Sequence, residues 1–337
     1  MSPIGFIGGT GVRAPAAAAE PVQVTTAWGE ACMQRLTLGG REVCFIRRHG
    51  LEGGIPPHRV NYRANIRALQ ILGCRAVLAT NAVGSLDEAQ PPGRFVLPDQ
   101  FLDLTKARAG TFYDGARGVV HVDMTEPYCR RLRAALVAAG QEVGEQITDG
   151  AVYACTEGPR FETPAEIRML RQWGAHVVGM TGVPEVVLAR EAGLCYATLS
   201  VVSNWAAGMS PAHLTETEVH DMMLARREAI NAVLEAACAA LEPDAECGCS
   251  RAASWRRASS PPAGRAGCPT ILSGRCGRGV LPSPRDRTTA PPDLTLRALP
   301  RPPVGQTILS VLRSEAGPSS PWTRACDLLP PTPTAPL

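Results

Sequence analysis

The chain has 337 residues, of which 45% are hydrophobic and 19% are charged, and its formal net charge is +3 at pH 7. This composition can supply a large buried core and excludes a fibrous protein. No run approaches the roughly 18 apolar residues of a membrane-spanning helix, and the N-terminal stretch MSPIGFIGGTG lacks the features of a secretory signal peptide. We therefore expect a cytoplasmic protein without a membrane partner.

Segments that favour strands alternate with segments of helical periodicity through the first 245 residues. In chain order the predicted strands cover residues 3–7, 43–47, 76–80, 95–97, 119–122, 151–155 and 196–203. The predicted helices cover residues 60–72, 164–173, 185–192 and 215–241. Alternation of this kind predicts an α/β fold with three layers in a single domain.

From Glu246 onward the composition changes abruptly. This part holds 16 of the 30 prolines and 12 arginines against five acidic residues. We predict a catalytic domain over 1–245 and a disordered tail over 246–337. A non-native extension from a shifted reading frame is a second interpretation. Because the tail carries the positive charge, the domain is mildly acidic, which argues against nucleic acid as its partner.

The twelve cysteines predict neither a disulfide framework nor a metal site. Seven lie singly in apolar contexts and are expected to be reduced core residues: Cys32, Cys44, Cys74, Cys129, Cys155, Cys195 and Cys238. The tail cysteines at 247, 249, 268, 276 and 326 lack the paired C-x2-C spacing that is typical of zinc sites.

The first chemical motif, IGFIGGTGV, places a glycine cluster and Thr10 after a strand. Glycines let backbone N–H groups approach an anion, although a simple tight turn explains them equally well. The spacing matches neither G-x-G-x-x-G nor the Walker pattern, which excludes a dinucleotide-dependent oxidoreductase.

Two further strands end in polar residues. FIRRHG places Arg48 and His49 where they can clamp a phosphate or a carboxylate, with a solvated basic turn as the alternative. LATNAVGSL carries Asn81 and Ala82 into a loop of the kind that binds ligands in α/β sheets, with an ordinary turn as the alternative.

Three further motifs lie in the second half of the chain, and a structural explanation is at least as good for each of their residues taken singly. In CTEGPRFETPAEIRML a capping box explains Thr163 and Glu166 but leaves Phe161 and Glu162 unexplained. VVGMT offers Met180 and Thr181 between a strand and a helix. LSVVSNWAAGMS delivers an amide at the end of a strand that reads as buried.

Taken together and in this order, these motifs resemble the purine nucleoside phosphorylase family, in its methylthioadenosine and methylthioinosine phosphorylase branch. The resemblance covers residues 3 to about 241 and rests on G-G-T-G, R-H-G, T-N-A-x-G-S-L, E-G-P-R-F-E-T, G-M-T-x-V-P-E-V-x-L-A-R-E and S-N-W-A-A-G. It implies an αβα domain with a central mixed sheet, a homotrimer, and attack of phosphate on C1′ of a purine nucleoside. No metal or organic cofactor is implied, because inorganic phosphate is a co-substrate.

The resemblance also assigns roles to individual residues. Those expected to hold phosphate are Thr10, Arg48, His49, Asn81, Ala82 and Thr181. Those expected around the nucleoside are Phe161, Glu162, Met180, Asn204, Trp205 and Ala206. Of these, Asn204, Glu162 and His49 are the expected catalytic residues.

The predicted base is a 6-oxopurine. The Asn204 amide can serve either purine class, because it has both a donor and an acceptor. An ionised Glu162 accepts the N1 proton of a 6-oxopurine but repels the N1 lone pair of adenine. The resemblance agrees, because methylthioadenosine phosphorylases typically have other residues at both positions.

The 5′ group is less constrained by the sequence. By resemblance, His121 reaches the neighbouring subunit's site near the 5′ group, with a strand-end histidine as the alternative. Glu216 lies where members vary with the 5′ substituent, or is a first-turn acid beside Thr215 and Glu218. Overall similarity favours S-methyl-5′-thioinosine, which would yield hypoxanthine and 5-methylthioribose 1-phosphate, with inosine and guanosine as further candidates.

Two other functions remain alternatives. One is a methylthioadenosine phosphorylase, which a solvent-facing Glu162 would favour. The other is a non-catalytic nucleoside sensor whose basic tail binds nucleic acid, which the complete phosphate-binding set argues against.

Overall fold

The computed structural model describes residues 1–12, 20–115, 118–249 and 271–273. Strands in these ranges are β1 (Ile4–Gly8), β2 (Glu20–Thr26), β3 (Gly29–Leu38), β4 (Arg41–Arg47), β5 (Ala76–Ser85), β6 (Phe95–Leu97), β7 (Gln100–Asp103), β8 (Ile147–Asp149), β9 (Val152–Cys155), β10 (Val177–Gly179), β11 (Cys195–Trp205) and β12 (Ile271–Ser273). Helices are α1 (Tyr62–Ile71), α2 (Arg130–Glu142), α3 (Pro164–Gln172), α4 (Gly182–Ala192), α5 (Glu216–Ala225) and α6 (Arg227–Ala240), with a 3₁₀ turn at Pro57–Arg59. None of the helices in the described ranges is long and apolar enough to cross a bilayer.

The strands form one mixed sheet centred on β5 and β11. These two strands are parallel and paired from Ala76 opposite Cys195 to Ser85 opposite Trp205. The other side of β5 pairs in parallel with β1 and, further along, antiparallel with β10. Because β1, β4, β5 and β11 are all parallel, their carboxyl ends meet at one edge of the sheet, where α/β proteins bind ligands.

Helices cover both faces of this sheet. Alternation along the strands places Ile7 and Val77 in the core beneath α1 and α4, whereas Ile4 and Leu78 belong to the core beneath α2 and α6. A smaller core lies under α3. The predicted three-layer αβα fold with a mixed sheet is confirmed.

Most predicted elements have the predicted type, and the exceptions have local causes. Residues 119–122 form no strand: Val119 is 70% exposed, and an alternating pattern alone supplies no neighbouring strand with which to pair. The helix predicted over 215–241 is two helices that meet at Arg226. There the Arg226 side chain bonds Glu145 at 2.5 Å and lies 4.6 Å from the centre of the Phe95 ring.

Two short pieces of the predicted tail belong to the described structure. Residues 246–249 follow α6 and bury Cys249 in the core beneath α2 and α6. Ile271–Ser273 pairs antiparallel with β2. The structure differs from the predicted disorder at these two pieces, and the remainder of the predicted tail lies outside the described residues.

Candidate active site

A cleft opens at the edge where the parallel strands end. Its walls comprise Thr10, Arg48, His49, Pro57, Asn81, Ala82, Val83, Gly84, Phe161, Glu162, Val178, Gly179, Met180, Thr181, Ser203, Asn204, Ala206, Leu214 and Val219.

The glycine cluster after β1 brings the backbone against β5. The Gly9 N–H donates to Thr80 Oγ1 at 3.0 Å. A Cβ on Gly9 would lie 2.5 Å from the Thr80 carbonyl oxygen, so a side chain cannot be accommodated there. The glycines are therefore required for this close approach, which positions Thr10 at the cleft.

Arg48 is held by a buried carboxylate on α4. Its Nε and Nη2 donate to the two Glu185 oxygens at 2.8 Å each, and its Nη1 donates to the Thr80 carbonyl at 2.7 Å. Burial disfavours the charged guanidinium, but the Glu185 charge outweighs it and raises the pKa of Arg48. Tyr196 also donates to Glu185, at 2.6 Å. The result is a fixed, permanently charged guanidinium at one end of the cleft.

His49 lies next to this cation with one ring nitrogen already committed. Its Nδ1 is 2.8 Å from the Ile55 carbonyl oxygen, so we assign the proton to Nδ1 and leave Nε2 available in the neutral ring. Desolvation and the Arg48 charge lower the pKa of His49. An anion bound beside His49 would oppose that shift.

Asn81 presents an unpaired polar atom at the same end. Its side chain is 3% exposed, and its Oδ1 has no hydrogen-bond partner among the described residues. A buried amide without a partner is costly, and either of its ends can face a ligand. With Arg48 and His49, Asn81 forms a cluster suited to an oxyanion.

Asn204 is placed at the cleft by an irregularity in β11. The pairing of β11 with β5 shifts between Val202 and Asn204, so Ser203 is the extra residue of a bulge, which re-aims the next side chain. The Ser203 hydroxyl donates to Asn204 Oδ1 at 2.7 Å, and Asn204 Nδ2 donates to the Trp205 carbonyl at 2.8 Å. These contacts fix the amide and leave the second Nδ2 proton free to donate to a ligand.

Glu162 also lines the cleft and is 8% exposed. The Thr156 hydroxyl donates to its Oε1 at 2.6 Å. Desolvation raises the pKa of Glu162, and the Thr156 hydrogen bond opposes that rise. The carboxyl therefore has one anchored oxygen, and it can change protonation state at a higher pH than an exposed glutamate.

A model of the phosphorylase superfamily matches residues 3–239. The chain belongs to the phosphorylase superfamily.

The chain aligns with most of the length of its relatives in this superfamily. It is 49% identical to a probable S-methyl-5′-thioinosine phosphorylase of Methanothermobacter thermautotrophicus, over 74% of this chain and 88% of that protein. It is 46% identical to the 6-oxopurine nucleoside phosphorylase of Pyrococcus furiosus, over 75% of this chain and 98% of that one. A solved methylthioadenosine phosphorylase from Schistosoma mansoni, in complex with tubercidin, aligns with a TM-score of 0.70 at 33% identity over 78% of this chain and 99% of its own. The prediction of a phosphorylase enzyme is confirmed.

The phosphorylase fold brings together most of the residues singled out in the sequence. Eleven of the fourteen line the cleft: Thr10, Arg48, His49, Asn81, Ala82, Phe161, Glu162, Met180, Thr181, Asn204 and Ala206. In the described part of the chain Trp205, His121 and Glu216 do not line it. Trp205 is half-buried and supplies its carbonyl to Asn204, whereas His121 and Glu216 are exposed. Their assigned roles, like those of the other eleven, stay predictions.

Sequence reasoning missed three residues that position the site. Glu185 and Ser203 act through their contacts with Arg48 and Asn204. Arg108 donates to carbonyls on two loops: Met180 at 2.6 Å, Val183 at 2.7 Å, Thr156 at 3.1 Å and Glu157 at 2.7 Å. The signal for Glu185 was its place inside the G-M-T-x-V-P-E motif. Arg108 lies in an irregular segment that gave no signal.

Proposed function

We propose that the chain catalyses phosphorolysis of a 6-oxopurine nucleoside, with S-methyl-5′-thioinosine as the preferred substrate. Phosphate oxygen attacks C1′ while the C1′–N9 bond breaks, which gives hypoxanthine and 5-methylthioribose 1-phosphate. The observation that carries the proposal is that Glu162 and Asn204 line the same cleft as Arg48 and His49.

The proposed roles follow from how charge develops during the reaction. Arg48, His49, Asn81 and Thr181 orient phosphate, which is a poor nucleophile and gains most from positioning. Negative charge accumulates on the departing purine, where the free N–H of Asn204 stabilises it at N7. An ionised Glu162 accepts a hydrogen bond from N1–H of the base, and this contact selects a 6-oxopurine.

Apolar residues support the 5′-methylthio group. Leu214 and Val219, at the start of α5, line the cleft, whereas the exposed Glu216 between them does not. A methylthio group gains from an apolar wall, while a hydroxyl would leave a donor unpaired there. The names of two relatives, a probable methylthioinosine phosphorylase and a 6-oxopurine nucleoside phosphorylase, agree with this substrate class.

A second candidate activity is phosphorolysis of S-methyl-5′-thioadenosine. It is favoured by the raised pKa of Glu162, because a protonated carboxyl can donate to adenine N1. The structural neighbour from Schistosoma mansoni is named for that activity. A solvent-facing Glu162 would favour this alternative, but Glu162 is buried.

Side-by-side assays distinguish these candidates. Phosphate-dependent base release is measured from methylthioinosine, inosine, guanosine and methylthioadenosine at pH 7.5. We expect the highest kcat/KM for methylthioinosine and no release without phosphate. Faster cleavage of methylthioadenosine than of methylthioinosine and inosine would reject the 6-oxopurine assignment. The homotrimeric state and cytoplasmic location belong to the same proposal, and light scattering of the purified protein tests the former.

A further inference from the structure

Four cysteines from three parts of the chain meet at the end of the domain where α2 and β11 begin. Cys129 is the residue before α2, Cys195 is the first residue of β11, and Cys247 and Cys249 follow α6. Their four sulfur atoms all lie within 4.8 Å of one another. We refer to these residues as the four-cysteine cluster.

The spacing of the sulfurs suits a tetrahedral metal ion. Zn²⁺ bound to four thiolates at about 2.3 Å places the sulfurs about 3.8 Å apart. In the cluster the Cys195 and Cys247 sulfurs are 2.9 Å apart and no two sulfurs are more than 4.8 Å apart, so the sulfurs are close enough to share one ion. An S–S bond, by comparison, needs about 2.05 Å and joins sulfurs only in pairs.

Three of the four cysteines are buried. Cys129, Cys195 and Cys249 are between 3% and 6% exposed, so a bound ion would be shielded from water.

Arg131 supplies compensating positive charge. Its Nη2 lies 3.7 Å from Cys195 Sγ, and its Nη1 donates to the Glu242 carbonyl at 2.7 Å. Four thiols that bind Zn²⁺ release four protons, and the resulting centre carries a charge of −2. A guanidinium that contacts a ligating sulfur stabilises such a centre and orients its ligand.

We propose that the four-cysteine cluster binds one Zn²⁺ ion in a closed structural site. All four coordination positions come from protein, which leaves no open position for a substrate. Asn204 lies nine residues along β11 from Cys195, or about 30 Å of extended strand, so the ion takes no part in the reaction. Its role is to fasten residues 246–249 to the domain.

The proposal reverses the expectation drawn from the cysteine spacing. Cys247 and Cys249 form a C-x-C pair rather than C-x2-C, and the tail offers no second pair at a suitable distance. The missing ligands are two residues interpreted as ordinary core cysteines, 118 and 52 positions before Cys247. Only the fold brings these separate segments together.

Metal analysis of the full-length protein tests the proposal directly. The protein is expressed with added zinc, purified in a non-chelating phosphine reductant and measured by elemental mass spectrometry. We expect about one zinc ion per chain. Replacement by Co²⁺ should give thiolate-to-cobalt charge-transfer absorption and the intense visible bands of a tetrahedral site.

Three results would overturn the proposal. One is less than about 0.1 zinc per chain together with a cobalt spectrum that lacks the charge-transfer band. Another is a site that contains iron and no zinc, because iron also binds four thiolates. The third is an intact mass lower by about 2 Da for each S–S bond within the cluster, in protein purified under argon without reductant.

Variants separate metal binding from simple loss of packing. The double variant Cys247→Ser, Cys249→Ser changes two residues that follow the last helix of the domain. Its zinc content should fall at least tenfold, while its kcat should change by less than about twofold. Cys238→Ala, which removes a buried cysteine of α6 outside the cluster, is the matched control and should keep its zinc. Chelator should lower the Tm of the wild type and of this control but not of the double variant. Equal zinc in all three proteins would refute the site.

Discussion

At the scale of single residues, Asn204 is well suited to substitution because hydrogen bonds fix both the oxygen and the nitrogen of its amide. Replacement by alanine removes the donor that we propose faces the charge on the leaving base. We expect Asn204→Ala to lower kcat/KM by about 10² to 10³, or about 2.7 to 4 kcal/mol. Steady-state assays with methylthioinosine measure it, and a loss below about fivefold would exclude this role.

Substitution of Ser203 should have a smaller effect than substitution of Asn204, because Ser203 acts only by holding the Asn204 amide. Ser203→Ala keeps the amide but removes the hydrogen bond that fixes its oxygen. We expect a loss of about 1 kcal/mol, or roughly fivefold in kcat/KM. A Ser203→Ala loss as large as that of Asn204→Ala would show that the bulge, rather than the amide proton, dominates.

We expect the preference between purine bases to depend on pH through the protonation state of Glu162. Above its raised pKa the carboxylate accepts N1–H of a 6-oxopurine, and below it the protonated carboxyl can donate to adenine N1. The ratio of kcat/KM for methylthioinosine to that for methylthioadenosine should therefore fall as pH decreases. Taking a ratio cancels titration of phosphate and His49, which affects both substrates alike.

Two variants assign this titration to Glu162. Glu162→Gln should leave a ratio that is independent of pH. Thr156→Val removes the hydrogen bond that stabilises the carboxylate, so it should move the midpoint of the ratio to higher pH. If the kcat/KM ratio of Glu162→Gln still changes with pH at the wild-type midpoint, another group controls base selection.

At the scale of elements, Arg108 connects the segment after β9 with the segment that leads into α4. Its side chain is 1% exposed, and four carbonyls depend on it. Arg108→Ala should destabilise the protein by on the order of 3 kcal/mol and raise KM for the nucleoside, because Met180 and Glu157 lose a common anchor. Urea unfolding and steady-state kinetics measure the two effects.

Arg160 provides the control for Arg108 in the same region. Its side chain is 64% exposed and pairs with Glu166 at the surface. Exposed ion pairs contribute little, so Arg160→Ala should cost less than about 1 kcal/mol. Comparable losses in the two variants would show that the backbone alone fixes these segments.

The sequence predicts elements well where pattern and local signals agree. The capping box at Thr163 and Glu166 begins α3 as expected. The hairpin of β2 with β3 was not predicted, because strand formation there depends on packing against neighbouring strands. The helix α2 was also not predicted, although its Ala-, Leu- and Arg-rich sequence favours a helix. The contacts that build the site are longer in range: Arg48 and Glu185 are 137 positions apart, so no local pattern could join them.

At the scale of the whole molecule, the exposed His121 provides a test of the proposed homotrimer. It does not line the described cleft of its own chain, so a role in substrate binding requires a second chain. His121→Ala should raise KM for the nucleoside about fivefold to tenfold, from the loss of about 1 to 1.4 kcal/mol. Co-expression of His121→Ala chains with Asn204→Ala chains should then give mixed assemblies with some intact sites.

The complementation has a clear signature. Sites that combine the Asn204 of a His121→Ala chain with the His121 of an Asn204→Ala chain should show the wild-type KM. If His121 acts only within its own chain, the mixture should show just the sum of the two variants' activities.

The paired strands at the centre of the sheet also determine where specificity can change. β11 is hydrogen-bonded to β5 along its length and to β6 at Ser200 and Val201, so Asn204 sits at the end of a stiff template. Phe161 and Glu162, which also line the cleft, lie in a segment between β9 and α3 without regular structure. Selection for new nucleobases should therefore enrich substitutions within residues 156–162 and leave β11 unchanged.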